Sequence, residues 1–412
     1  MTDRDILYRA ILDSPEDDTL RLVYADALEE SGDPRRAAFV RAQVALSHLP
    51  EYDPLWVRAR AQGQGRTFDP RWTLELELPD GFDWARDPFR RGLPGAVQAR
   101  DGATFVAHAD ELFLRYPIES LELLVVRPQD TKEFPECSWL TRLTSLSLVQ
   151  GAGGEMVRRL LASPQFTRLT ELRVGSQLTT PATVGAIVRS RVFKQLTSLG
   201  VRSDQRDGGQ LAGELARLAR PPRLKKLDLS GNQLRAQALA PLVASEAVAA
   251  VEDLDLSDNN LGADGVAVVA GGNFPALHSL HLLRTRPQEG GVNALAAADF
   301  FPDLRSLSLG GNNLGPAAAF AIASGPAENL RVLDLRENRI GDRGATSLAE
   351  SERLANLIEL DLAEAQIGDA GAEALADSPH LGGLLYLNLF GNRIGAYAAH
   401  RLRARFGDRV FL

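Results

Sequence analysis

The feature that most constrains this chain is a pattern recurring every 25 to 28 residues. Its clearest copy runs from Leu330 to Ala349, LRVLDLRENRIGDRGATSLA. Read as L-x-x-L-x-L-x-x-N-x-I, it turns Leu330, Leu333, Leu335, Asn338 and Ile340 inward, while the residues between them alternate outward as a short strand requires. The next residues, GDRGATSLAE, change period. Gly341 and Gly344 open a turn, and Ala345, Leu348 and Ala349 fall at helical spacing, so each unit reads as strand, turn and helix.

The residue in the Asn slot marks the array: Val126, Gly151, Gln177, Asp204, Asn232, Asn259, Thr285, Asn312, Asn338, Ala365 and Asn392. An inward Asn is useful where the chain leaves the strand, because its amide pairs with backbone groups that the turn would otherwise bury unsatisfied. Gln177, Asp204 and Thr285 have side chains that do part of this job. Val126, Gly151 and Ala365 do not, so the first two repeats and the tenth are expected to be less regular or to recruit water. The repeat length suits a true helix behind each strand. These units resemble leucine-rich repeats of the ribonuclease-inhibitor type. The resemblance implies an α/β fold, a right-handed leucine-rich-repeat solenoid with its parallel strands concave and its helices convex.

A solenoid grows by adding repeats, so 412 residues need no division into separate cores. No apolar run approaches the roughly 20 residues that span a bilayer, and the acidic start MTDRDILYRAILDSPEDD is unlike a secretory signal. The single cysteine, Cys137, fits a reducing cytoplasm and excludes a Cys-based zinc cluster. A net charge of −8 argues against general nucleic-acid binding, which needs a basic face. Only four of the 46 basic residues are lysine, a bias that G/C-rich codons explain.

Residues 1–48 read as a small N-terminal helical module. Ile6, Leu7, Ala10 and Ile11 make one apolar stripe, and Leu20, Val23, Tyr24, Ala27 and Leu28 a second. Gly32 ends that helix, Asp33-Pro34 starts another, and Ala37, Val40, Val44 and Leu46 form its stripe. Three short helices bury little surface alone, so the module is expected to lean on the residues after it. Its motif is Arg21-Leu22-Val23-Tyr24-Ala25-Asp26, Leu28-Glu29-Glu30, Gly32-Asp33-Pro34-Arg35 and Phe39-Val40-Arg41. This stretch is similar to the N-terminal repeat-companion domain of large bacterial paralogue sets, with Ala38 where that pattern has an acidic residue; the resemblance implies a leucine-rich-repeat neighbour and no activity. The acids Asp26, Glu29 and Glu30 are read as a solvated face, with Glu29 and Asp33 spaced to meet Arg35 or Arg36.

Residues 49–116 read as linker and N-terminal cap, and 117–412 as the solenoid with its C-terminal cap. In the cap, Asp53-Pro54 begins a short helix, GQGRTFDP is a loop, Thr73 to Leu78 alternates as a strand, and Asp80-Gly81 turns. Trp56, Trp72 and Trp84 are expected to plug the open end. Val97 and Ala99 face inward in an atypical zeroth repeat followed by a helix from Phe105 to Tyr116. At the far end a helix from Ala396 to Phe406 stops at Gly407, and Val410-Phe411-Leu412 adds a short strand.

No catalytic or cofactor motif emerges. The sequence contains no Gly-Lys pair for a phosphate loop, and His278 and His281 face opposite sides of a strand, unsuited to sharing a metal. The expectation is a non-enzyme with no cofactor and no metal. What remains is a surface. The third, fifth, seventh and eighth positions of each repeat point to the concave side, and from the fifth repeat onward they include Asp228, Asp253, Asp255, Asp258, Asp334, Glu337, Glu359, Asp361 and Glu364. Against them stand Lys226, Arg284 and Arg336. Asp228, Asp255, Asp334 and Asp361 share the fifth slot, where local hydrogen bonding is an alternative explanation. Tyr386 and Phe390 add an aromatic edge suited to an anchor contact. The sequence thus predicts a monomeric cytoplasmic protein that binds a protein partner with a basic surface, with no nucleic acid and no membrane. The alternative is a regulator of an enzyme such as a nuclease or small GTPase, as proteins with similar repeats are.

Overall fold

The computed structural model describes residues 2–62, 69, 71–74, 76–151, 153–175, 181–202, 209–218 and 222–412. The Asn-slot residues Gln177 and Asp204 and most of the GQGRTFDP loop lie outside these residues. The chain divides into two compact units, residues 1–199 and 200–412.

The first unit opens with α1 (Asp3–Asp13), α2 (Asp18–Glu30) and α3 (Pro34–Ser47). Each start is capped as the sequence suggests. Thr2 and Asp5 form a reciprocal capping box on α1, Asp17 accepts from the amides of Thr19 and Leu20, and Asp33 precedes Pro34. The apolar stripes differ from the expected ones: Ile6 and Val23 are exposed, whereas Ile11, Tyr24, Ala25, Leu28, Ala37, Val40 and Val44 form the core. The second stripe is rotated because Arg21 points inward and is fully buried. Its guanidinium donates to the Pro15 and Arg90 carbonyls and lies 3.8 Å from Glu119, which Arg91 also pairs. Burial lowers the Arg21 pKa to about 10. The module does lean on the residues after it, at one point so closely that a Cβ on Gly92 would lie 2.4 Å from the Val40 Cα. Glu29 meets neither Arg35 nor Arg36; Arg41, one helix on, bridges Asp26 at 2.6 Å and Glu29 at 2.7 Å. Asp33 is occupied in capping, accepting from the Arg36 amide.

Among the described residues the expected strand from Thr73 to Leu78 is absent, because Arg71–Leu74 forms a helical turn started by Asp69. The capping strand is Phe82–Trp84, antiparallel to Ala96–Ala99. Trp84 lies in this edge strand and packs against Tyr116, whereas Trp72 packs against Phe39 of α3 and Phe89. Trp56 instead ties the helix Pro54–Ala61 to the end of α3 through the Leu46 and Leu49 carbonyls. Parallel strands come next at Ser120–Val126, Ser145–Gly151 and Glu171–Val174. The two with Val126 and Gly151 in the Asn slot are seven residues long, because the ladder runs on through Val125↔Gln150 and Val126↔Gly151. Without an amide to receive the turn, the backbone satisfies itself by pairing.

In the second unit seven three-residue strands from Lys226–Asp228 to Tyr386–Asn388 pair in parallel and in register, and Val410–Phe411 closes the series. Consecutive helices pack on one another behind them. Leu330, Leu333, Leu335, Asn338 and Ile340 are all buried, as are Ala345, Leu348 and Ala349. Asn338 shows what the slot does. Its Oδ1 accepts from the amides of Asn312 and Leu314 in the preceding repeat, and its Nδ2 donates to the Leu309 and Leu335 carbonyls. Asn259, Asn312 and Asn392 do the same for their predecessors.

The slot residue therefore shapes the turn of the repeat before it. Where the next slot holds Asn, the residue after the slot is left-handed: Gln233, Arg286, Asn313 and Gln366. Where the next slot holds Thr285 or Ala365, the left-handed residue is instead Gly262 or Gly341, whose amide donates to the Thr285 or Ala365 carbonyl. The tenth repeat is thus regular, contrary to expectation. Ala365 lacks an amide side chain, but Asn392 accepts its N–H and a glycine in the preceding turn takes its carbonyl.

These contacts set two stability costs. Asn338→Ala strands two amides and the Leu335 carbonyl and should cost roughly 2–4 kcal/mol in urea unfolding, whereas Asn329→Ala, exposed and bonded to one carbonyl, should cost under about 1. Arg21→Ala leaves Glu119 short of a partner in a buried site and should cost about 3–5 kcal/mol. Hydrogen exchange should show protection falling in α1 to α3 and holding in residues 222–412.

Candidate partner-binding face

The sheet register sorts the outward residues of the second unit into rows. The third positions are Lys226, Asp253, Ser279, Ser306, Val332, Glu359 and Tyr386; the fifth positions are Asp228, Asp255, His281, Ser308, Asp334, Asp361 and Asn388. Strand neighbours on one face lie near 5 Å apart, so long side chains shield one another. Glu359 is only 7% exposed between Val332 and Tyr386, and Asp361 only 8%. The expectation that Glu359 is exposed is therefore wrong.

The fifth-slot acids bond locally. Asp228, Asp255, Asp334 and Asp361 each accept from the backbone N–H two residues on, at 2.8–3.1 Å, and Asn388 does the same for Phe390. These carboxylates turn the chain out of the strand, as their counterpart amide does in the last repeat. Asp334 is the exception electrostatically. Burial raises its pKa to about 6, aided by Asp361 and Glu337 and opposed by Arg336 and its N–H.

Asp253 is half-buried and paired. Lys226 Nζ donates to it at 2.8 Å and His281 Nε2 lies 3.3 Å from its other oxygen. Burial would raise its pKa, but His281 and Lys226 hold it at about 2, and Asp253 with Asp255 in turn raises that of His281. Sequence reasoning weighs His281 only with His278 as a metal pair; the signal that places it here is the repeat register, which sets it one strand from Asp253 and beside Asp255.

The eighth positions form the exposed rim: Gly231, Asp258, Arg284, Gly311, Glu337, Glu364 and Gly391, every one at positive φ. The glycines fit this backbone without strain, and a long neighbour leans over each. A Cβ on Gly311 would lie 2.9 Å from Arg284 Cγ, and one on Gly391 2.7 Å from Glu364 Cγ. Arg284 also holds Asp258 with two hydrogen bonds of 2.6 and 3.0 Å. Glu337 and Glu364 are exposed and have no ion-pair partner among the described residues. Of the aromatic edge, Phe390 is 62% exposed, whereas Tyr386 is half-buried against Phe411 of the final strand. Tyr397 and Phe320, on helices behind the sheet, are equally exposed and were not anticipated.

The leucine-rich-repeat family pattern matches residues 251–270, 302–323, 327–349 and 353–376. Those are four of the strand, turn and helix units just described. These four units are leucine-rich repeats, and the chain has the leucine-rich-repeat fold. No curated protein matches its sequence. Among solved structures, the yeast Rad7–Elc1 complex contains a chain 14% identical, aligned over 90% of this protein and 92% of that one with a TM-score of 0.52. An internalin from Listeria monocytogenes is 16% identical over 70% of this chain and 79% of its own, with a TM-score of 0.38. At these identities the likeness to Rad7–Elc1 is one of fold. Among the described residues of this leucine-rich-repeat chain no helix is long and apolar enough to cross a membrane.

The Asp334 site gives a pH test with a definite sign. A carboxyl raised to about 6 in the folded state, against 3.8 as its ordinary value, destabilises the fold above pH 6 and is neutral below both values. Asp334→Asn keeps the acceptor for Arg336 N–H. It should stabilise by about 1–3 kcal/mol at pH 8, with the gain vanishing near pH 4, measured by urea unfolding at the two pH values.

Proposed function

We propose that this protein is a non-enzymatic protein-interaction module, and that a partner with a basic surface binds the strand-side face of its second unit. The observation that carries this is the rim. Asp258, Glu337 and Glu364 hold a left-handed backbone that costs a non-glycine residue about 1–2 kcal/mol, at positions where other repeats use glycine. Strain of this kind is retained where the side chain serves a purpose. For Glu337 and Glu364 that purpose is not an internal ion pair. Both present exposed carboxylates, and the exposed Phe390 ring lies in the repeat after Glu364, a combination that steers a basic partner and then anchors it. Rad7, which shares the fold, is seen in complex with another protein, which supports a binding role. The protein would work as a monomer in the cytoplasm, in keeping with its lone cysteine.

The test uses partners captured from lysate with the full chain and identified by mass spectrometry. The double variant Glu337→Gly with Glu364→Gly removes the charges and relieves the backbone. It should be as stable as the parent or more so, up to about 1 kcal/mol per site, yet associate about tenfold more slowly at low salt. Phe390→Ala should mainly speed dissociation. Capture that is indifferent to both variants and to about 0.5 M salt would remove this face from consideration.

A further inference from the structure

A second site lies in the first unit. A pocket of about 560 Å³ opens where the helical module meets the segment from Leu76 to Tyr116. That volume is in the range that holds a small molecule rather than a protein surface. Three arginines line it: Arg4 and Arg9 from α1 and Arg36 from α3. None of their guanidinium groups has a hydrogen-bond or ion-pair partner among the described residues. Arg36 Nε is enclosed and has no acceptor. A fourth lining arginine, Arg115, is held by Glu111 at 3.0 Å. The one lining carboxylate, Asp5, is occupied by the Thr2 N–H at 2.8 Å.

Helix stability does not explain this arrangement. Arg4 and Arg36 both sit in the first turn of a helix, at the dipole end that repels cations and favours anions. The pocket wall carries a further open donor. Tyr8 donates to the Arg115 carbonyl and Tyr116 to the Glu77 carbonyl, but the Tyr24 hydroxyl, on a residue only 4% exposed, has no partner among the described residues. At the rim Leu114 is 70% exposed, giving an apolar edge beside the charged floor.

We propose that this pocket binds a small organic diphosphate, its phosphate oxygens taken by Arg4, Arg9, Arg36 and the Tyr24 hydroxyl and its body lying along Leu114. Guanidinium forks pair with phosphate in two-pronged fashion, and a diphosphate matches three guanidinium groups without hydrogen-bond partners better than a single carboxylate does. Because the pocket is walled by both the helical module and the segment after it, an occupant ties the two together.

The experiment is calorimetric titration of the full chain with inorganic pyrophosphate, ADP and citrate at one salt concentration. The expected result is saturable one-to-one binding of pyrophosphate, at least tenfold tighter than citrate. ADP binding tighter still shows that the organic body contributes, and equal binding shows that the diphosphate head alone is read; both support the site. Arg36→Gln should weaken pyrophosphate at least tenfold. Arg9→Gln, an exposed position whose loss leaves the packing untouched, should weaken it about threefold or more, which keeps the test decisive if the Arg36 variant folds poorly. The Glu337→Gly with Glu364→Gly variant should bind pyrophosphate as the parent does, so failure of the rim proposal leaves this one standing. No heat at millimolar pyrophosphate and ADP, citrate binding as tightly as pyrophosphate, or unchanged affinity in Arg9→Gln overturns the proposal.

Discussion

The second unit depends on one recurring interaction, the side-chain amide that receives the turn of the repeat before it. A three-residue strand leaves its backbone groups facing the interior as soon as the chain departs, and each such group must find a partner. Asn259, Asn312, Asn338 and Asn392 supply one acceptor for two amides and one donor group for two carbonyls. The consequence is that a repeat's turn is set by its successor's residue. Where the successor is Thr285 or Ala365, the preceding turn changes hand at a glycine and recovers the bond through a carbonyl. Where the slot holds Val126 or Gly151, the strand lengthens instead. The same requirement is met in three ways, and the local sequence decides which.

That dependence separates what was legible in the sequence from what was not. The leucine positions were legible because burial on one side of a strand has a period of two, and every inward leucine from Leu330 to Leu335 is buried. The compensation at Ala365 was not, because it is made by Asn392 and Gly341, each about one repeat away. Burial of Glu359 was missed for a related reason: exposure on a sheet face is decided by the residues on adjacent strands, here Val332 and Tyr386. The fifth-slot acids were legible in chemistry, since an aspartate two residues before an amide is a turn signal. The rim strain was invisible, because nothing in the letters Asp, Arg or Glu announces a positive φ.

The helical module shows the same limit from the other side. Its caps were readable residue by residue, yet its second stripe lies rotated from the expected one because Arg21 turns inward. A charged side chain enters a core only when most of its donors are met, and Arg21 meets carbonyls at Pro15 and Arg90 with Glu119 close by. Turning Arg21 inward rotates α2 and leaves Val23 in solvent.

This gives the arginine bias a structural reading beside the codon one. A lysine offers a single point of charge, whereas a guanidinium's planar fork bridges several carbonyls at once. Arg405 joins the Ala376 and Ser378 carbonyls, Arg409 joins those of Leu384, Arg405 and Phe406, and Arg91 holds the Pro15 and Glu16 carbonyls together with Asp18 and Glu119. In these places arginine does what Asn does in the slots, satisfying backbone groups where elements end. Arg36 is set apart from this pattern. It is half-buried beside Tyr24 with an enclosed Nε that no carbonyl or carboxylate reaches. An enclosed donor without an acceptor is costly, and its neighbours Arg4 and Arg9 add two more guanidinium groups beside the single lining carboxylate, Asp5. The diphosphate proposed above would supply that acceptor from outside the chain.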